Sequence, residues 1–334
     1  MSPQISILLP VYNAETTLPT TLRSISRQRM EDWECLVMDD GSADRSLEIA
    51  RAAADHDPRF KIFPGAHLGL IPTLNAGIAH ARGEYVARMD ADDWMHRDRL
   101  AEQFALLTAH PELDAAGCFV RIFPRASMRD GRRRYEEWLH SLTDPETLWL
   151  NRFIECPVAH PTLMIRKRAF HDSGYHDEGW PEDYDLMLRL LRKGPCIGMV
   201  PRRLLGWRDQ PRRLSRTDER YALAEFGRCR AFFLSQDFLA NHSTYALWGH
   251  GRTGRALRKA LAGHGHTVST IVEVHPRRIG QRIHGAPVIH PDALPSHPRE
   301  PLIVSVSGAK PRAEIRTALA DKGYREGLDF VCAA

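Results

Sequence analysis

Three carboxylates crowd into four positions at Asp90-Ala91-Asp92-Asp93. Acidic groups this close repel one another unless a cation lies among them. Hard oxygen ligands suit Mg2+ or Mn2+, which bind one or two carboxylates together with substrate phosphates. The same residues would also serve as an acidic turn that caps a following helix. A second acidic pair opens a helix-like segment in Trp180-Pro181-Glu182-Asp183-Tyr184-Asp185-Leu186. A carboxylate at a helix N-terminus is favoured in its ionised form, which suits a proton acceptor and equally suits a structural cap. Arginines gather at Arg132-Arg133-Arg134 and again between Arg202 and Arg220, where they form either an anion-binding loop or a solvated face. The turn Gly249-x-Gly251-x-x-Gly254, with Glu273 about 20 residues on, has the spacing of a dinucleotide fingerprint. Glycines serving only a tight turn and close helix packing would give the same pattern.

These groups need elements to position them. Ile5 to Leu9 reads as a buried strand ended by Pro10, and Leu18, Leu22 and Ile25 then recur at helical spacing. Cys35 to Met38 is a second strand, closed by the turn Asp39-Asp40-Gly41-Ser42, and a helix carrying Leu47, Ile49 and Ala50 follows. Phe60 to Phe63 is a third strand, Pro72 to Ala81 a helix, and Glu84 to Met89 a fourth strand. Strands separated by helices predict an α/β fold with a mostly parallel, doubly wound sheet. Ligands bind such sheets beyond the carboxyl ends of the strands, where Asp39-Asp40 and Asp90 to Asp93 both fall.

The middle of the chain predicts a strand over Leu113 to Ile122, a polar basic loop over Pro124 to Arg134 and a short helix over Pro145 to Leu150. Thr162 to Arg166 reads as a strand, Glu182 to Arg192 as a helix stopped by Gly194-Pro195, and Cys196 to Val200 as a strand. A helix spans the boundary near 217–243, after which a new strand–turn–helix unit opens at Tyr245 to Trp248. Strands over Val268 to Val274 and Ile303 to Val306, a helix over Glu314 to Lys322 and a strand at Phe330-Val331 complete it. The expected organisation is a domain over 1–216, a helical linker over 217–240 and a small Rossmann-like α/β domain over 241–334.

Bulk properties narrow the class. A length of 334 residues suffices for two domains. With 43% hydrophobic and 26% charged residues the composition is that of an ordinary soluble globular chain. A formal net charge of +4 is small for this length and does not indicate a nucleic-acid partner. The six cysteines form no C-x-x-C pair, so neither a zinc site nor a redox motif is indicated, and a reduced, cytosolic compartment fits best. The N-terminus runs directly into a strand rather than a secretory signal, and no apolar run reaches the ~18 residues of a bilayer span. The expectation is a soluble or peripheral protein.

Four motifs occur in order: Pro10-Val11-Tyr12-Asn13-Ala14-Glu15; Val37-Met38-Asp39-Asp40-Gly41-Ser42-Ala43-Asp44; Asn75-Ala76-Gly77-Ile78 to Ala81-Arg82-Gly83-Glu84-Tyr85; and Asp90 to Asp93. Together, over about residues 4–216, they resemble family 2 glycosyltransferases, which have the GT-A fold. The resemblance implies that Pro10 and Tyr12 contact the nucleotide base and that Asp40 accepts a hydrogen bond from its ring N–H. It implies that Asp90 lies near ribose and metal, that Asp92 is the direct metal ligand, and that Asp93 caps or supports. Asp183 matches the family's catalytic base, with Glu182 as the acceptor-side alternative. Arg208, Arg212, Arg213 and Arg216 would offset the charge of the departing diphosphate. Many relatives read Tyr-Arg-x-His-Pro where this chain has Trp207-Arg208-Asp209-Gln210-Pro211, so Gln210 replaces a histidine that can help hold metal or diphosphate. His160, in Cys156 to Thr162, would line the acceptor pocket or stand as a structural histidine. The C-terminal part is similar to small Rossmann-like units attached to some sugar-modifying enzymes, with Gly285 to Val288 as a shared segment.

The reaction implied is inverting transfer of a sugar from an NDP-sugar donor, preferably UDP-linked, to a hydroxyl, with Mn2+ or Mg2+ as cofactor. The acceptor implied is a saccharide or a lipid-linked molecule in bacterial surface polysaccharide or glycoconjugate assembly. A cytoplasmic location, peripheral contact with the inner face of the membrane and a homo-oligomer are compatible with this reading. One rival is a nucleotidyltransferase, but Pro10 to Glu15 lacks the Gly-rich, Lys-containing signature that grips a triphosphate. An NAD-linked oxidoreductase centred on Gly249 to Gly254 leaves Asp90 to Asp93 without a role. A nucleotide-sugar binder without turnover leaves Glu182-Asp183 unexplained.

Overall fold

The strands Ile5–Val11 (β1) and Trp33–Asp39 (β2) are buried almost throughout. Continuous apolar runs of this kind fit strands covered by helices on both faces. The structure, a computed structural model, describes residues 2–170, 174–211 and 213–334. Arg212, one of the loop arginines singled out above, lies outside the described residues.

Between β1 and β2 runs α1 (Leu18–Ser26), which buries Leu18, Thr21, Leu22 and Ile25, one face of a 3.6-residue period. The chain continues through α2 (Ser46–His56), β3 (Phe60–Pro64), α3 (Leu70–His80), β4 (Tyr85–Arg88), β5 (Trp94–Met95) and α4 (Arg99–Ala109). Pro72 sits in the first turn of α3, where its missing N–H is not needed. Then come β6 (Ala115–Phe123), α5 (Asp130–Ser141), α6 (Pro145–Asn151), β7 (Met164–Arg166), α7 (Glu182–Leu191), β8 (Ile197–Arg208) and α8 (Leu214–Thr217). The strands form one eight-stranded sheet in the order β3-β2-β1-β4-β7-β6-β8-β5. Strands β3, β2, β1 and β4 are parallel, β6 and β8 are parallel, and β7 pairs antiparallel with both β4 and β6. Val11 is in register with Asp39, and the Met89 amide donates to Leu8 O at 3.1 Å. The carboxyl ends of β1, β2 and β4 therefore emerge side by side, carrying Tyr12, Asp40 and Asp90.

The α/β fold with a mostly parallel sheet matches the expectation, but several elements differ. The stretch expected as a basic loop over Pro124 to Arg134 instead holds a short 3-10 turn and then α5. Arginines are good helix formers, and the apolar residues that anchor α5, Tyr135, Trp138 and Leu139, begin only where the arginine run ends. The strand expected to stop at Val200 runs on through Pro201 to Arg208. It passes the proline where its register with β6 shifts around Phe119, a place where a missing backbone donor is tolerated. The two-residue β5, paired with β8, is too short for any periodicity to show. The helix expected over 217–243 is broken into α8, a 3-10 turn at Glu219–Tyr221 and a helix starting at Leu223.

The chain divides into two compact units. One comprises Met1–Trp149, Pro157–Glu178 and Asp185–Arg216, and the other Leu150–Cys156, Gly179–Tyr184 and Thr217–Ala334. The second unit contains α9 (Leu223–Gln236), β9 (Thr244–Trp248), α10 (Arg252–Ala262), β10 (Thr267–Val272), β11 (Arg282–Ile283), β12 (Ala286–Ile289), β13 (Leu302–Val304), α11 (Ala309–Asp321) and β14 (Phe330–Cys332). Its sheet runs β11-β12-β10-β9-β13-β14 and is parallel except for the β11–β12 pair. Within this unit the buried Arg230 donates to Ile154 O at 2.9 Å and to Ala333 O at 2.8 Å, and Arg316 donates to Asn151 Oδ1 at 3.2 Å. All six cysteines are buried. Among the described residues no helix is long and apolar enough to cross a membrane.

Candidate active site

The end of β4 builds the acidic turn. One carboxylate oxygen from each of Asp90, Asp92 and Asp93 lies within 4.8 Å of the others. The turn is pinned from α1, where the Thr21 hydroxyl reaches Ala91 O at 2.9 Å and Asp93 O at 2.7 Å. The environment makes the three acids unequal. Burial opposes the charge of Asp90, yet the Arg88 guanidinium, 2.6 Å from its carboxylate, together with the Arg213 charge, holds Asp90 below its ordinary range. Asp92 is pushed up to about 6 by burial and by the Asp90 charge beside it. Asp93, only 1% exposed, is pushed well above its usual range by burial and then by both neighbours. Its Oδ1 accepts the Arg208 amide at 2.7 Å, whereas Oδ2 is buried without a partner. An ionised Asp90 and an Asp92 whose charge is disfavoured by burial and by the Asp90 charge, despite Arg213 and Arg208 nearby, form a donor set that fits a divalent cation.

Residues after β8 close over this turn. Gln210 Nε2 donates to Asp92 Oδ2 at 2.8 Å, so the residue standing in place of the family histidine still reaches the carboxylate. Arg208 Nε donates to Asp92 O at 2.7 Å, and Arg213 donates to Arg208 O at 3.0 Å. Arg216 lies farther out on Asp209, at 2.8 and 3.0 Å from its two oxygens. Trp207 carries two guanidiniums over its ring, Arg132 at 4.4 Å and Arg213 at 4.6 Å. Arg132 reaches it from α5, a partner hidden while that segment reads as a loop.

At the neighbouring strand ends Tyr12 is 48% exposed and stacks on His67, with ring centroids 4.1 Å apart and planes 13° from parallel. Asp40 explains the position of His67. Its carboxylate is 2.9 Å from His67 Nδ1 and accepts the Leu68 and Gly69 amides at 2.8 and 3.0 Å. Asp40 therefore ties the segment before α3 to the end of β2. Asp39 acts in its own turn, accepting the Ser42 amide at 3.3 Å. Pro10 lies in register with Met38, one residue before the Val11–Asp39 pair. His67 was not singled out in the sequence, because a lone histidine in a connecting segment carries no periodic or motif signal.

His160 is buried and hydrogen-bonded through Nε2 to the Tyr175 hydroxyl at 2.7 Å. Burial, and then the Arg88 charge, push it down to about 3, so it is a neutral, satisfied imidazole.

The second unit holds the other acidic pair. The Tyr221 hydroxyl lies 2.6 and 2.8 Å from the two Glu182 oxygens. Asp183 accepts the Tyr184 amide at 2.7 Å and is pushed up to about 8 by burial, then by the Glu182 charge, with Glu155 adding to it. A carboxylate titrating near neutrality is suited to accept a proton from a hydroxyl. Tyr221, which reads from sequence as one apolar position of a long helix, instead sits in a 3-10 turn with its hydroxyl on Glu182.

The model of the family described as "Glycosyl transferase family 2" matches residues 6–174. A Bacillus subtilis (strain 168) protein named as the glycosyltransferase EpsE is 32% identical over 198 residues, spanning 58% of this chain and 68% of EpsE. The glycosyltransferase EpsJ of the same organism is 29% identical over 246 residues, 67% of each chain. Among solved structures, S. aureus TarS 1–349 in complex with UDP-GlcNAc is similar with a TM-score of 0.59 at 18% identity, covering 79% of this chain and 72% of that one. The mannosyltransferase PcManGT from Pyrobaculum calidifontis, in complex with GDP-Man and Mn2+, gives 0.52 at 19% identity over 79% and 70%. At these identities the structural likeness speaks to the fold.

Proposed function

Because the chain belongs to glycosyl transferase family 2, we propose that it transfers a sugar from a nucleoside-diphosphate sugar, preferably UDP-linked, to an acceptor hydroxyl with inversion, using Mn2+ or Mg2+. The observation that carries this reading is the unequal acidic turn, in which Asp90 is ionised beside Arg88 while burial and the Asp90 charge disfavour the charge of Asp92. Asp92, with Asp90, would hold the ion. A bound divalent cation there supplies positive charge against the diphosphate leaving group.

The remaining roles fall to the chain's own side chains. Tyr12, backed by His67, and Pro10 flank the nucleotide base, while Asp40 fixes the segment that positions His67 and contacts the base edge. Arg208 and Arg216 line the loop beside the acidic turn and add positive charge on the diphosphate side. Asp183 takes the proton of the attacking hydroxyl, and Glu182, held by the Tyr221 hydroxyl, adds to the high proton affinity of Asp183. His160 supports the acceptor side through Tyr175. The acceptor is a saccharide or lipid-linked molecule of surface polysaccharide assembly, met in the cytoplasm or at the inner membrane face.

A screen of UDP-, GDP- and dTDP-sugars for metal-dependent hydrolysis identifies the donor. Calorimetry with UDP then tests the site: Mn2+-dependent binding should disappear in Asp92→Asn. Full Mn2+-dependent binding by that variant would reject the assignment.

A further inference from the structure

The glycine turn at the end of β9 plays no part in the transfer described above. Two of its glycines are required by the fold. Gly249 has φ +94°, and a Cβ there would meet Ser305 O at 3.0 Å. A Cβ on Gly254 would lie 2.1 Å from Gly249 O. Gly251 is different. It caps α10 with φ −74° and ψ −161°, a conformation open to any residue, and a Cβ there would meet no atom within 4 Å. Packing does not explain this glycine, but close approach of a ligand to the first amides of α10 does.

Two further observations converge on the same turn. His250 and Ser305 are each only 4% exposed, and His250 Nε2 and Ser305 Oγ have no hydrogen-bond partner. Ser305 stands against the turn, its Cβ 3.6 Å from where a Gly254 Cβ would lie. Buried polar atoms left unpaired are costly and rare. The surroundings are also cationic. Arg278 donates to His250 O at 3.2 Å, and burial, followed by the charges of His284, Arg258, Arg255 and Arg278, holds His250 below its ordinary range. Glu273, the acid expected to take a ribose hydroxyl, is engaged by Arg278 at 3.0 Å and by the Val274 amide at 3.1 Å. The pattern favours an anion over a dinucleotide ribose.

The geometry points to a binding site for a phosphoryl group, free or carried by a nucleotide, seated over Gly251 against the first turn of α10, with Ser305, His250 and Arg278 around it.

Calorimetry on the full chain with ADP, metal removed by EDTA, tests this. Saturable binding is expected in the wild type and in Asp92→Asn, weakened by about tenfold or more in Gly251→Val at an unchanged melting temperature. Ser305→Ala, which removes only an unpaired hydroxyl, is the second variant and should also weaken binding. Displacement of ADP by inorganic phosphate assigns free phosphate as the ligand, and its failure, with Gly251→Val still defective, assigns the nucleotide. Three results overturn the proposal: no saturable binding, wild-type affinity in both Gly251→Val and Ser305→Ala, or loss in Asp92→Asn alone.

Discussion

Arg88, 3% exposed at the end of β4, places a guanidinium nitrogen 2.6 Å from the carboxylate of Asp90. This pairing differentiates the acidic turn. It keeps Asp90 charged, and the Asp90 charge in turn raises Asp92. Arg88 is buried but Asp90 only half-buried, so water screens part of the charge stranded when Arg88 is removed. Arg88→Met should therefore lower stability by about 1–2 kcal/mol in urea unfolding and also weaken Mn2+ binding. A variant as stable as the wild type would show that the pair contributes nothing net.

Asp183 links rate to pH. It must be deprotonated to accept a proton, and it is pushed up to about 8, so kcat/KM should rise with pH through that region. Asp183→Asn should lower transfer by roughly 100-fold or more while leaving UDP binding intact. Near-normal turnover by the variant would place the base elsewhere.

The same shift has a stability consequence. A group whose proton affinity is raised by folding stabilises the folded state below its unfolded pKa of about 3.9, and that contribution is lost as pH rises through the folded value. For Asp183 the loss spans from there to about 8. Denaturant midpoints should show Asp183→Asn gaining on the wild type as pH rises from 5 to 9. A constant difference between the two proteins would contradict the shift.

Tyr221→Phe removes the hydroxyl that lies 2.6 Å from Glu182 Oε2. Glu182 then loses the hydroxyl that fixes its carboxylate, and the contribution of its charge to the proton affinity of Asp183 falls. The acid limb of the kcat/KM profile should move to lower pH, with donor KM little changed. A general loss of activity with the limb in place would indicate a purely structural tyrosine.

Gln210 Nε2 lies 2.8 Å from Asp92 Oδ2. In Gln210→His an imidazole would stand beside that carboxylate and add a nitrogen ligand above about pH 6.5. Mn2+ affinity measured by electron paramagnetic resonance should tighten by about tenfold, and the gain should vanish at pH 5. Equal affinity at both pH values would mean that this side chain does not face the ion.

What the sequence displayed depended on range. The apolar runs of β1 and β2, the Asp39-Asp40-Gly41-Ser42 turn and the Asp90 to Asp93 turn were all legible, because each is local and either periodic or a motif. Helix α5 was not, since its arginines look like a solvated loop until Tyr135, Trp138 and Leu139 supply an apolar face. Strand β8 was legible only as Cys196 to Val200, because its continuation through Pro201 rests on a register shift with β6 that no local pattern shows. The contacts that refine the site are tertiary. Tyr221 reaches Glu182 across 39 positions and His67 reaches Asp40 across 27, and no spacing rule marks such pairs.

The interleaving of the chain bears on how this protein can be recombined. Leu150–Cys156 and Gly179–Tyr184 belong with Thr217–Ala334, and Arg230, Arg316 and Tyr221 reach back to Ile154, Asn151 and Glu182. A crossover after Arg216 would look like a clean exchange of modules in the gene. It would carry away the hydrogen-bond donors of the very segments that present Asp183, so swapping the C-terminal part for another sequence would retune the proton acceptor itself. On the role proposed for Asp183, catalytic competence would be inherited with the last third of the chain, although none of the four sequence motifs lies there.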